Sequence, residues 1–126
     1  MAEQPEIENT APILRVKDMK TSLEYYEKVL GFKWAGWGDT FTFVGRDGHG
    51  MYLCEGSQGC VGTWVWVGSH DVTRLHGEYK QSGAKIILPP TNYPHALEMH
   101  VEDPDGHVLR FGSGPLEDQP YAEMQV

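Results

Sequence analysis

The sequence predicts an α+β fold: two βαβββ modules forming a curled, eight-stranded mixed sheet around a cleft, with the helices outside. Three observations carry this. The order strand, helix, three strands runs twice along 126 residues. The two runs superpose by simple offsets, 51 between Val16 and Val67 and 52 between the helix-ending Gly31 and Gly83. The turn before the last strand of each run has the same residues, Asp47-Gly48-His49 and Asp105-Gly106-His107, at an offset of 58. The loop Pro89–Pro94 supplies the six residues by which the last offset exceeds the second.

Each element has its own local signal. Thr10–Val16 reads as a short strand, with Pro12 placing it at an edge or at its own start because proline has no amide to donate. Asp18 is placed to cap a helix in which Met19, Leu23, Tyr26 and Leu30 recur at helical spacing, and Gly31 ends it. Strands follow at Phe32–Trp37, Thr40–Val44 and Gly50–Glu55, the last two joined by the Asp-Gly-containing turn. In the second module Val61–Val67 is strongly β-prone. Asp71 caps a helix with Val72, Leu75 and Tyr79 on its apolar face, and Gly83 closes it. Ala84–Leu88, Ala96–Glu102 and Val108–Phe111 complete the set.

The organisation expected is an N-terminal tail (1–9), a first module (10–58), a second module (60–114) and a C-terminal tail (115–126), one structural domain overall. The formal charge of −8 argues against nucleic acid, which needs a basic surface to displace counterions. No apolar run is long enough to span a bilayer, and the acidic start lacks a secretory pattern, so a cytoplasmic protein is expected. Cys54 and Cys60 are expected to be free thiols, with no Cys-x-x-Cys pair for zinc.

Strand alternation assigns faces. In the first strand Pro12, Leu14 and Val16 go one way and Ala11, Ile13 and Arg15 the other. Val61, Thr63, Val65, Val67, Leu109 and Phe111 suit packing under the helices, which leaves Gly62, Trp64, Trp66, Val108 and Arg110 for the cleft. Glu98 and His100 share that side, whereas His95 has the opposite parity to His100. His49 and His107 fall in turns and are expected to be solvated; His70 and His76 belong to the start and outer surface of the second helix. Paired indoles suit flat heteroaromatic rings and cations. Trp37 and Tyr93 are candidates to extend the wall. Glu98, Glu102 and Glu55 are candidates for an acidic part, and Arg110 and Arg15 either pair with these acids or take a carboxylate or phenolate.

Three segments resemble the vicinal oxygen chelate superfamily, which includes glyoxalase I, extradiol dioxygenases, fosfomycin-resistance enzymes and bleomycin-resistance proteins. They are Leu14-Arg15-Val16-Lys17-Asp18, the helix Ser22–Tyr26 ending in Val29-Leu30-Gly31-Phe32, and Glu102-Asp103-Pro104-Asp105-Gly106-His107. The closing segment Val108–Ser113 and the loop Pro89–Pro94 are most similar to the bleomycin-resistance branch. The resemblance implies the glyoxalase/bleomycin-resistance fold. It also implies metal-ligand positions early in the first and fifth strands and late in the fourth and eighth. These fall on Ala11, Gly62, Leu53 (with Glu55 two residues on) and Arg110, so the usual metal site is expected to be absent.

The function expected is metal-independent binding of a cationic or aromatic small molecule, with no cofactor and no catalytic residue. The resemblance implies antibiotic sequestration by a homodimer. The expected ligand-binding residues are Trp64, Trp66, Trp37, Glu98, His100, Arg110 and Tyr93. The alternative is a metal-dependent lyase, transferase or dioxygenase with displaced ligands such as His100, Glu98 and Glu55. A metal-free acid/base enzyme using His100 beside Glu98 ranks last.

Overall fold

The structure, a computed structural model, describes residues 4–124. The first module comprises β1 (Ile13–Arg15), α1 (Met19–Glu24), β2 (Lys33–Trp34), β3 (Phe41–Arg46) and β4 (His49–Cys54). Helix α1 continues without a break into a wider, π-wound segment, Tyr25–Val29. The second module comprises β5 (Trp64–Gly68), α2 (Val72–Ser82), β6 (Lys85–Asn92), β7 (Leu97–Glu102) and β8 (Val108–Ser113). The strand orders are identical by position, β1-β4-β3-β2 and β5-β8-β7-β6, with β1 parallel to β4 and β5 parallel to β8. The predicted repeat is therefore real in three dimensions. The eight strands divide into two four-stranded sheets, with no ladder joining them among the described residues.

Local signals act where the sequence places them in the second module, whereas Asp18 stands at the start of α1 with its carboxylate accepting the Thr21 hydroxyl at 2.6 Å and no helix amide. The Asp71 carboxylate accepts the Arg74 amide at 3.0 Å, and Gly83 ends α2 at φ +86°, a left-handed conformation that a Cβ disfavours. The extra residues near Pro89 and Pro90 lengthen β6 rather than forming a separate loop. Register shifts at Ile86/Leu88 and Leu88/Thr91 absorb them, and β6 is an edge strand, where prolines cost no ladder bond.

One core serves both modules. Leu14, Met51 and Leu53 from the first sheet join Met99, Val101, Leu109 and Phe111 from the second, with Tyr26, Leu30 and Tyr79 of the helical segments between them. Each large side chain buried this way stabilises by roughly 1.5–3 kcal/mol. The helical segments touch directly: the Tyr79 hydroxyl donates to the Leu30 carbonyl at 2.8 Å, and the Ser82 hydroxyl to the Val29 carbonyl at 2.7 Å. Each helix keeps a solvent side, with Lys20, Glu24, Arg74 and Lys80 exposed. The opposite sheet faces point away from this core, so the indole face of β5 is open rather than covered by the other module. Trp64 is 58% and Trp66 53% exposed.

The Asp103-Pro104-Asp105-Gly106-His107 turn locks the modules together. Asp103 accepts the Tyr26 hydroxyl at 2.8 Å and the amides of Asp105 and His107 at 2.9 Å. Asp105 accepts the Lys17 amide at 2.8 Å and the Ser22 hydroxyl at 3.2 Å. His107, expected in solvent, is fully buried. Its Nδ1 accepts the Thr63 amide at 3.0 Å, so the ring proton sits on Nε2, which donates to the Arg15 carbonyl at 2.6 Å. A turn histidine becomes a core group here because the other module closes over it. Among the described residues, no helix is long and apolar enough to cross a membrane.

Candidate functional site

Three strands of the second sheet deliver the site. Trp66 on β5, Arg110 on β8 and His100 on β7 are directly cross-strand, so their side chains form one row across the open face. Trp64 precedes Trp66 by two residues and shares its side; its ring meets His100 edge-on, with centroids 5.4 Å apart. The Arg110 guanidinium carbon lies 5.8 Å from the centre of the Trp66 ring. Gly112 makes room for that indole: a Cβ there would stand 2.1 Å from the Trp66 ring.

Glu98, opposite Gly112, is the electrostatic centre of the row and is fully buried. Arg110 grips it with both arms, Nε to Oε1 at 2.5 Å and Nη2 to Oε2 at 2.9 Å. His100 Nε2 donates to Oε1 at 2.9 Å, and His95 Nε2 donates to Oε2. Burial pushes the Glu98 pKa up, but the hydrogen bonds from Arg110, His100 and His95 outweigh it and hold the group at about 2. Glu98 is thus ionised and fully subscribed, and both imidazoles carry a proton on Nε2. The same carboxylate raises the pKa of Arg110.

The parity argument against His95 fails because His95 lies in the turn before β7, where strand alternation does not hold. Its ring stacks on Tyr93, with centroids 5.7 Å apart and planes at 13°, so Tyr93 reaches the site at one remove. Trp37 does not join the row: it packs beside Phe41 on the first sheet, where Phe41 stacks on Tyr52 at 5.1 Å. Glu102 is paired with Lys85 at 3.1 Å, and Glu55 follows β4 on the first module. Arg15 turns to the Ser57 carbonyl at 2.5 Å.

Two residues invisible to the sequence reading complete the face. The segment after β8 returns to the sheet, and Arg110 Nη2 donates to the Met124 sulfur at 3.3 Å. Asn92, at the end of β6, holds that segment. Its Oδ1 accepts the Leu116 amide at 2.8 Å, its Nδ2 donates to the Leu116 carbonyl at 2.8 Å, and its own carbonyl accepts the Ala122 amide at 2.6 Å. No local pattern around Met124 points to this contact. Two cavities flank Trp66: one of about 350 Å³ toward His70, His95 and Gly114, and one of about 640 Å³ between the modules, reaching Phe32, Met51 and Tyr79.

The four positions that a metal would use on this fold do not fit one. Ala11 and Gly62 have no donor, Leu53 is buried in the core, and Arg110 brings a cation already bound to Glu98. Among the described residues, no group of three or more His, Cys, Asp and Glu is placed to hold a metal ion.

Known proteins give the same fold. The bleomycin-binding protein of Streptomyces verticillus, solved with copper(II)-bleomycin, is 20% identical with a TM-score of 0.74, covering 88% of this chain and 99% of that one. TnmS3, an antibiotic-binding protein from Streptomyces sp. CB03234, is 17% identical with a TM-score of 0.72 over 88% of this chain and 99% of its own. A virulence protein from Salmonella typhimurium is 18% identical with a TM-score of 0.70, covering 87% and 99%. No curated protein sequence matches. The profile of the Glyoxalase/Bleomycin resistance protein/Dioxygenase superfamily matches residues 7–111, most of the chain. With the paired βαβββ modules in place, the chain belongs to that superfamily.

Proposed function

We propose that this protein binds a small planar aromatic compound reversibly on the open face of its second sheet, without a metal and without transforming it. The observation that carries the reading is the pair of indoles, each more than half exposed, fixed on one strand beside Arg110 and His100. Large exposed aromatic side chains on a rigid face mark a surface built to be covered. The similar folds of a bleomycin-binding and an antibiotic-binding protein support a sequestering role, with an antibiotic as the ligand class. The cationic half of the expected ligand finds little here, because Glu98 is taken up by Arg110 and two imidazoles.

The working form is a homodimer. The first sheet exposes its own aromatic face, Phe41, Phe43 and Tyr52, which nothing in the single chain covers fully. A second copy brings such a face opposite the indole row and closes the cleft that one chain leaves open. Free Cys54 and Cys60 agree with a cytoplasmic setting.

The test is a tryptophan-fluorescence titration of metal-stripped protein with bleomycin and with anthraquinone, together with sedimentation to read the assembly. Saturable quenching, lost in Trp66→Ala and unchanged by chelator, is the expected result. No change at high micromolar ligand, or conversion of the ligand detected by mass spectrometry, overturns the reading.

A further inference from the structure

We propose that Arg110 is the anchor for an anionic oxygen group, a carboxylate or phenolate, on the aromatic ligand, and that the segment 114–124 occupies this anchor through Met124 until the ligand displaces it. The proposal rests on the aromatic-binding reading above and names the ligand chemistry and the closure of that site.

The argument starts from acceptor strength. The guanidinium satisfies Glu98 with Nε and Nη2, and its outward contact among the described residues is a thioether sulfur at 3.3 Å. A thioether is a weak acceptor, whereas a charged oxygen makes a hydrogen bond roughly twice as strong as a neutral one. An ionised oxygen therefore outcompetes Met124 for the same donor. Charge points the same way: Glu98 is fully buried while the Arg110 side chain keeps 31% of its surface exposed, so the charge presented to a ligand on the open face is the guanidinium's.

The displaced segment is built to lift. It has no strand or helix, and Leu116, Tyr121 and Met124 are each more than 40% exposed, so little apolar surface opposes its release. Its hold is concentrated at Asn92, whose side chain meets the Leu116 amide and the carbonyls of Leu116, Gln119 and Pro120. Asn92 is the latch, and Met124 is the group it delivers.

Two isosteric probes test this, 9-anthracenecarboxylate and 9-(aminomethyl)anthracene, titrated into the full chain by tryptophan fluorescence. The carboxylate is expected to bind about tenfold tighter than the amine, the difference of one charge-assisted hydrogen bond. Arg110→Gln is expected to erase that preference, and Met124→Ala and Asn92→Ala to tighten carboxylate binding several-fold. Met124→Ala changes an exposed side chain and keeps the test independent of any folding defect in Asn92→Ala. The methyl NMR signal of Met124 gives a ligand-free readout: it is expected to shift in Arg110→Gln and to move to a mobile-chain position when the carboxylate binds. Equal or tighter binding of the amine, or carboxylate binding indifferent to both Met124→Ala and Asn92→Ala, overturns the proposal and leaves the aromatic-binding reading standing. Failure of both probes to bind wild type and all variants overturns the two together.

Discussion

The two modules carry the same turn and use it in opposite ways. In the first, Asp47 sits at φ +54° with its side chain in solvent, and His49 is exposed; the reach to the other module there comes from Arg46, which holds Glu78 of α2 at 2.6 and 2.9 Å. In the second, His107 has no exposed surface and bonds backbone on both sides, while Asp103 and Asp105 reach Tyr26, Lys17 and Ser22 of the other module. Both turns join hairpins and share Asp-Gly-His, but the second has Asp103 where the first has Gly45, and this carboxylate accepts the Asp105 and His107 amides. The neighbour differs as well: the second turn lies against the end of β1 and the start of α1.

A second contrast lies within the second module. Asp103 and Glu98 are both buried carboxylates on or beside β7, yet their pKa values move in opposite directions. Burial raises Asp103, and its partners, the Tyr26 hydroxyl and the amides of Asp105 and His107, only partly offset that. Glu98 pays the same desolvation but faces a guanidinium and two imidazoles, which overcome it. The carboxylate that clamps the fold is surrounded by neutral donors, and the one at the open face by a guanidinium and two imidazole N–H groups.

The largest effect expected comes from breaking that second contrast. Glu98→Gln strands the Arg110 charge and costs on the order of 3 kcal/mol, whereas Asp103→Asn keeps an oxygen for the amides and costs about 1 kcal/mol. Urea unfolding of both variants reads the difference, and equal losses would remove the distinction. Acidification then gives opposite signs. The Glu98 pKa is lowered from 4.5 to about 2 on folding, so its contribution is complete above 4.5 and lost as the pH falls toward 2. The deficit of Glu98→Gln relative to wild type therefore shrinks through that window. Asp103 is raised, so the folded protein holds its proton more tightly, and the deficit of Asp103→Asn widens as the pH falls through the raised pKa.

The turns come next in size. His107→Ala leaves the Thr63 amide and the Arg15 carbonyl without their partner and is expected to cost about 2 kcal/mol. His49→Ala, at the matching position, is expected to stay within about 0.5 kcal/mol. Thermal melts of the pair measure how far the repeat has diverged. Trp66→Ala is expected to cost only about 1 kcal/mol for a half-exposed ring, although the same change is expected to abolish ligand-induced quenching.

Much of the fold was legible because periodicity and turn chemistry are local. Asp71, Gly83 and the Asp-Gly turns act on their own backbone, and alternation correctly put Leu109 and Phe111 in the core and left Trp64, Trp66 and Arg110 on the other face. The extent of β6 was misjudged, since proline breaks a strand only where its missing amide has a partner to lose. The row of Trp66, Arg110 and His100 was half legible: parity gives the face, but register decides which residues stand opposite.

By itself, then, the sequence determined the paired modules, which side chains of β5 and β8 face the core and which the open side, and the absence of donors at Ala11 and Gly62. The tertiary structure alone decided that His95 joins His100 and Arg110 on Glu98, that His107 is a clamp rather than a solvated turn, that Trp37 stays with the first sheet, and that Met124 rests on Arg110. The reason is the range of the forces involved. Backbone geometry repeats every few residues and prints its period on the chain, whereas the contacts around Arg110 and His107 join groups that only the packing of distant segments brings together, here 14 residues apart for Arg110 and Met124 and 92 for His107 and Arg15.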